Sequence, residues 1–171
     1  MDNRIAGFVE YGRDDYEGIM NLFRTNSNNE DFQSLVVLLD RDLKIRDGDE
    51  HEFYAQFNKT DSIKNVVVAY MENKAVGCGA FKRFEGHTAE IKRMFVKSEF
   101  RGQGIAQKIL YELEIWATEL KFTNFILETG YKQPEAIQLY SKSGYQKIPN
   151  YGQYLGVENS LCMQKIMPRM Q

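Results

Sequence analysis

The chain has 171 residues, 43% of them hydrophobic and 27% charged. These values suit one globular domain with a substantial core and exclude disorder as its main state. The formal net charge of −2 excludes nucleic-acid binding by bulk electrostatics.

No uncharged apolar run reaches transmembrane length, and the N-terminus MDNRIAGFVEYGRDD lacks a charged-then-apolar signal pattern. The expectation is a cytoplasmic protein with no membrane partner. Cys78 and Cys162 are isolated in sequence, as are His51 and His87. No zinc-ligand spacing exists, so no metal is expected, and both cysteines read as small buried residues in reduced form. The two histidines read as surface or structural residues.

In chain order, Ile5 to Tyr11 suits a first strand. Asp14 or Asp15 then caps a short helix carrying Ile19, Met20, Leu22 and Phe23. TNSNNE, residues 25–30, reads as a loop. Phe32, Leu35, Val36, Leu39 and Leu43 recur at helical spacing, and Gly48 is placed to stop that helix. A further short helix covers Glu50 to Phe57.

The period changes at Asn65–Met71, which reads as a strand. Glu72-Asn73 forms a turn, and Lys74 to Phe81 returns as the second arm of a hairpin. Gly77 and Gly79 weaken that arm as a strand but let another group approach its backbone. Thr88 to Val96 is a third strand. The clearest helix follows, Gly104 to Leu120, with one apolar stripe. Phe125–Glu128 is a short strand. Pro134 opens another helix, which Gly144 ends. Tyr145–Ile148 and Leu161–Ile166 are late strands on either side of the loop NYGQYLGVEN. The sum is a single-domain α/β fold, with a mixed, mostly antiparallel sheet flanked by helices.

The chemistry concentrates in residues 90–110, EIKRMFVKSEFRGQGIAQKIL. A strand ends at Val96, and Arg101-Gly102-Gln103-Gly104-Ile105-Ala106 opens a long helix. The first amides of a helix lack intrahelical acceptors, and the helix dipole adds positive potential there. Small residues let an anion come close, so the segment reads as a pyrophosphate cradle. Residues 92–108 hold five basic residues against one acid, a local charge of +4. A dinucleotide fingerprint does not fit, because its third small position is Gln107.

The phrase R-G-Q-G-I-A after a strand resembles the acetyl-CoA signature of the GNAT superfamily of N-acetyltransferases, R/Q-x-x-G-x-G/A. Ala136, Leu139, Tyr140, Gly144 and Tyr145 match a second motif of that superfamily, A-x-x-L-Y-x-x-x-G-F/Y. LETGYKQPEAI, PNYGQY and VGCGAF resemble a bacterial subgroup within it. The resemblance implies a GNAT fold, with residues 1–87 as the acceptor-side half and 88–166 as the acetyl-CoA half. It implies acetyl transfer from acetyl-CoA, by direct attack, to a primary amine of a small molecule or peptide.

Residue by residue, the resemblance implies that main-chain groups of Met94, Phe95 and Val96 hold the pantetheine arm. It places Arg101, Gly102, Gln103, Gly104, Ile105 and Ala106 on the pyrophosphate. Glu90 takes the place of a general base and Tyr140 that of the acid protonating the leaving thiolate. Lys97 or Lys142 would meet the 3′-phosphate. Many members carry Asn where this chain has Gln133, a longer amide for the same arm. Strand alternation places Thr88, Glu90, Lys92, Met94 and Val96 on one face. Burial of that face would raise the Glu90 pKa towards that of a useful base.

Residues 28–61 carry nine acids and four bases, net −5, which suggests an acidic border to the acceptor groove favouring a cationic amine. Tyr151 and Tyr154 are candidates to line the same pocket. The alternatives are a non-catalytic acetyl-CoA-binding module and an enzyme using another acyl-CoA. The assembly expected is a monomer or homodimer.

Overall fold

The computed structural model describes residues 8–11, 20–56 and 62–168. The strands are β1 (Phe8–Tyr11), β2 (Met20–Thr25), β3 (Asn65–Met71), β4 (Lys74–Glu85), β5 (Thr88–Val96), β6 (Asn124–Gly130), β7 (Gln146–Ile148) and β8 (Ser160–Ile166). The helices are α1 (Glu30–Asp47), α2 (His51–Ala55), α3 (Ile105–Glu119) and α4 (Pro134–Lys142). All eight strands share one sheet in the order β1-β2-β3-β4-β5-β6-β8-β7. Neighbours pair antiparallel except β5 and β6, which run parallel. This is the mixed, mostly antiparallel α/β architecture that the sequence predicts. No helix among the described residues is long and apolar enough to cross a membrane.

Local signals place the boundaries. The Asn29 side chain accepts from the Phe32 amide at 2.9 Å and caps α1. Gly48, at φ 55°, ends that helix by donating its N–H to the Lys44 carbonyl. Glu72 and Asn73 both have positive φ, 49° and 64°, the geometry that matches a two-residue hairpin to strand twist. Pro134 starts α4, and Gly144 follows its end at φ 93°.

One predicted helix is a strand. Met20, Leu22 and Phe23 lie in β2, paired with both β1 and β3. Met20 and Leu22 are buried while Asn21 and Phe23 are only half-buried, a period of two. Ile5, Asp14, Asp15, Ile19 and Phe57 lie outside the described residues.

Helix α3 covers one sheet face, burying Ile109, Leu113 and Ala117 against Val67, Ala69, Phe81 and Phe125. Helix α1 covers the other with Phe32, Leu35 and Leu39 against Val66, Val68 and Ala80. The glycines of β4 admit α3. A Cβ on Gly79 would come within 2.9 Å of both Ile109 and Leu113.

The β4–β5 pairing slips at Gly79. Cys78 opposes Phe95 and Ala80 opposes Lys92, so Arg93 and Met94 together oppose Gly79. This is a β-bulge, and Arg93 adopts φ 58° within it. The extra residue reverses the side-chain phase. Ile91, Met94 and Val96 belong to the α3 side, and Phe95 packs with the α1 side. The expectation that Glu90, Lys92, Met94 and Val96 share a face is therefore corrected. Strand β5 then parts from β6, since their pairing ends at Glu90 opposite Ile126.

Substituting Gly79→Ala should destabilise the fold by about 1–3 kcal/mol through overpacking against α3. A urea midpoint unchanged from wild type would show that α3 does not rest on this residue as described.

Candidate active site

The gap between the parted strands opens a cavity of about 480 Å³, a size usual for small-molecule sites. Strand β5 contributes Met94, Phe95 and Val96, and the start of α3 contributes Arg101, Gly102, Gly104, Ile105 and Ala106. Gln133, immediately before α4, and Tyr140 within it close the opposite wall. Ten of the residues predicted for the site therefore line one cavity. Glu90, Gln103, Tyr151 and Tyr154 are not in its lining. Of the two lysines considered for the 3′-phosphate, Lys142 lines it and Lys97 does not.

Gly102 and Gly104 have φ of 77° and 75°, a left-handed conformation that favours glycine. A Cβ at either would meet nothing within 4 Å. They are there for backbone shape, and they leave the main chain before α3 uncovered. The first-turn amides of α3 face the same end. The Arg101 side chain is engaged within the protein. Its Nε donates to the Val96 carbonyl at 2.9 Å, and its Nη2 lies 3.5 Å from Asp42.

Tyr140 is 6% exposed, and burial pushes its phenol well above the ordinary range. It holds its proton at any physiological pH, as a general acid must before it acts. Its ring meets Tyr145 edge-on at 5.8 Å.

Glu90 is also buried, at 4% exposed, and faces away from α3. The Tyr151 hydroxyl donates to its Oε2 at 2.7 Å. Lys92 Nζ lies 3.6 Å from Oε1, and Lys82 Nζ lies 4.0 Å away. Tyr151 and Tyr154 belong to a buried cluster with Tyr54 and Cys162. That cluster backs the cavity through Tyr54, which lines it and shares a 3.2 Å hydrogen bond with Ser160.

Sequence reasoning missed Glu128, near the end of β6. It lines the cavity, and its Oε1 is buried without a hydrogen-bond partner among the described residues. Burial pushes its carboxyl up to about 7, with the Asp47 and Glu90 charges adding and Ser160 and Lys92 opposing. The available signal was one charged residue in the otherwise uncharged run FILETG. Asp47, from the end of α1, lines the cavity too. Cys78 and Cys162 are free thiols, and burial pushes them up to about 12 and about 11. Neither is a nucleophile at neutral pH.

Residues 32–145 match the acetyltransferase (GNAT) family. The chain belongs to this family. It is 37% identical over 100 residues to an IAA acetyltransferase of Azospirillum brasilense, a match covering 58% of this chain and 65% of that protein. Solved acetyltransferase structures share the fold. An acetyltransferase from Streptococcus agalactiae superposes with a TM-score of 0.65 at 21% identity, over 86% of this chain and 98% of that one. The PaiA N-acetyltransferase of Thermoplasma acidophilum, in complex with coenzyme A, gives 0.66 at 14% identity over 86% and 98%.

The raised Glu128 carboxyl carries a stability prediction. Between the ordinary value of 4.5 and about 7, the folded chain holds a proton that the unfolded chain has released. Glu128 therefore reduces stability progressively as pH rises through that window, and the full reduction is present above it. Glu128→Gln removes the buried charge. It should raise stability at pH 8 by an amount on the order of 1–3 kcal/mol, with little gain at pH 4.5. An equal gain at both pH values in urea titrations would contradict a buried ionised Glu128.

Proposed function

We propose that this GNAT chain is an N-acetyltransferase that moves the acetyl group of acetyl-CoA to a primary amine. The observation that carries the proposal is the cavity itself. A single space joins the left-handed Gly102/Gly104 turn, the unpaired inner edge of β5 and the buried Tyr140 phenol. The bare backbone at the turn fits a pyrophosphate. The edge at Met94–Val96 fits an extended amide-bearing arm, and Gln133 offers it a further amide partner. On this reading residues 88–166 form the donor half and the earlier residues the acceptor side.

Acetyl-CoA, as donor substrate, supplies the acetyl thioester. The chain's own residues manage the protons. An ammonium cannot attack until a carboxylate has taken its proton. Glu90 fills that role by its place in the family motif. Because it stands behind the cavity wall, it acts through a water. The new C–N bond forms as the C–S bond breaks. Tyr140 gives its proton to the departing sulfur and regains one from the attacking nitrogen. An ammonium and a thioester thus give an amide, a thiol and one released proton. A second assignment of the base is favoured by position, because Glu128 lines the cavity directly.

Calorimetric titration of wild type with acetyl-CoA should show one saturable site, abolished in a folded Gly104→Glu variant that sets a carboxylate into the cradle. A folded wild type that takes up no acetyl-CoA would sink the proposal.

Proton transfer by a positioned group contributes about 10²–10⁴-fold. Tyr140→Phe should lower kcat by roughly the smaller of these factors with acetyl-CoA affinity retained. Comparing Glu90→Gln with Glu128→Gln identifies the base as the variant with the larger fall in kcat. Full activity in both would rule out either carboxylate as the base.

A further inference from the structure

The acid-bearing end of the cavity has a charge pattern that acetyl-CoA binding does not explain. Asp47 is only 4% exposed and lines the cavity, yet no side-chain hydrogen bond or ion pair reaches its carboxylate among the described residues. The cations around it do not close that gap. Arg46 is paired with Asp42 and Glu135, and Lys132 is exposed. His51 acts on Asp47 ahead of Lys132 and Arg46 but makes no ion pair with it, and its buried Nδ1 has no hydrogen-bond partner among the described residues. Glu50 adds a further negative charge and accepts from Asn159 at 3.2 Å.

Glu128 shares this end, close enough for the Asp47 charge to act on it. Lys92 faces Glu128 as well, but it lies 3.6 Å from Glu90 and is matched by that carboxylate. Among the described residues neither Asp47 nor Glu128 makes an ion pair, and the hydrogen bond from Ser160 leaves the Glu128 Oε1 without a partner. A buried carboxylate without a partner is strongly disfavoured, and a bound cation relieves it.

We propose that this end of the cavity is the acceptor site and that it takes a primary amine carrying a second cationic centre, in the simplest case a short aliphatic diamine. Asp47 holds the distal ammonium, and the reacting amine lies beside Glu128, whichever carboxylate takes its proton. Burial raises the carboxyl pKa of both residues in the ligand-free protein, and each would ionise fully against a cation. A monoamine of the same length fills one position only. An aminocarboxylate would set a second anion against Asp47. The inference rests on the acetyl-transfer reading of the cavity.

The test compares cadaverine with pentylamine as acceptors, following CoA thiol release, in wild type, Asp47→Asn and Asp47→Glu. Calorimetry with acetyl-CoA runs alongside. Wild type should favour the diamine by at least about 10-fold in kcat/KM. Asp47→Asn should bring that ratio to roughly one by raising the diamine KM, and Asp47→Glu should recover part of it. Acetyl-CoA affinity should stay within about twofold in both variants, since Asp47 is assigned to the acceptor.

No diamine preference in wild type, or a preference that survives Asp47→Asn, overturns the inference. Wild type that binds acetyl-CoA but acetylates neither amine also overturns it, while the donor site stands. Failure to bind acetyl-CoA removes both readings.

Discussion

The parting of β5 from β6 is the constraint on which the rest of the molecule depends. Two adjacent parallel strands ordinarily keep pairing, because an unpaired buried amide or carbonyl is costly. Here the pairing ends at Glu90 and Ile126. The bulge opposite Gly79 turns the chain away, with Arg93 in a left-handed conformation that a non-glycine residue adopts at a cost of about 1–3 kcal/mol. Its neighbours hold it there. Arg93 Nη2 donates to Asp40 of α1 at 2.6 Å, and Cys78 Sγ donates to the Arg93 carbonyl at 3.4 Å. Beyond the bulge, Met94 and Val96 anchor in the α3 core and Phe95 in the α1 core. The cavity is therefore held open by two cores at once.

That arrangement gives the cavity a lining of two unlike kinds. One is main chain, formed by the glycine turn and first amides of α3, with Arg101 drawn back onto Val96 and Asp42. The other is side chain, formed by Asp47 at the end of α1 and Glu128 near the end of β6. A helix N-terminus with uncovered backbone favours an anion, and uncompensated carboxylates favour a cation. A single ligand of one sign does not satisfy both, whereas a phosphate-bearing donor and a cationic acceptor do. Tyr140 lies within the same cavity, and burial keeps its proton in place.

Much of this was legible in the sequence because it is local. The α1 stripe, the Gly48 stop, the Glu72-Asn73 turn and the run from Arg101 to Ala106 each announce themselves within a few residues. What was not legible depends on partners far along the chain. Met20, Leu22 and Phe23 suit a short helix as well as a strand, and pairing with β3, some forty-five residues later, decides it. The bulge at Arg93 has no signature of its own, since its cause is the room left by Gly79 on the neighbouring strand. Without it, simple alternation puts Glu90 and Met94 on the same face, which the phase reversal undoes. Glu128 reads as a polar strand end until β8 brings Ser160 beside it and α1 brings Asp47 into the same cavity.

The acidic residues also show how the fold divides stability from function. Glu112 and Glu114, on α3, are as buried as Glu90, and each pairs with a cation: Glu112 through its Oε1 with Arg24 at 2.6 Å, its Oε2 having no hydrogen-bond partner among the described residues, and Glu114 with Lys165 at 2.6 Å. Glu90 has Tyr151 and Lys92. Among the described residues no ion pair reaches Asp47 and no hydrogen bond reaches the Oε1 of Glu128, although the chain contains enough cations to supply them. Pairing one partner with each would be the simpler route to stability. Leaving both carboxylates open in one cavity weakens the ligand-free protein, and on the proposed reading it strengthens the hold on a cationic acceptor by the same interaction. The fold bears this because its two hydrophobic cores lie on either side of the sheet and do not depend on the charges between them.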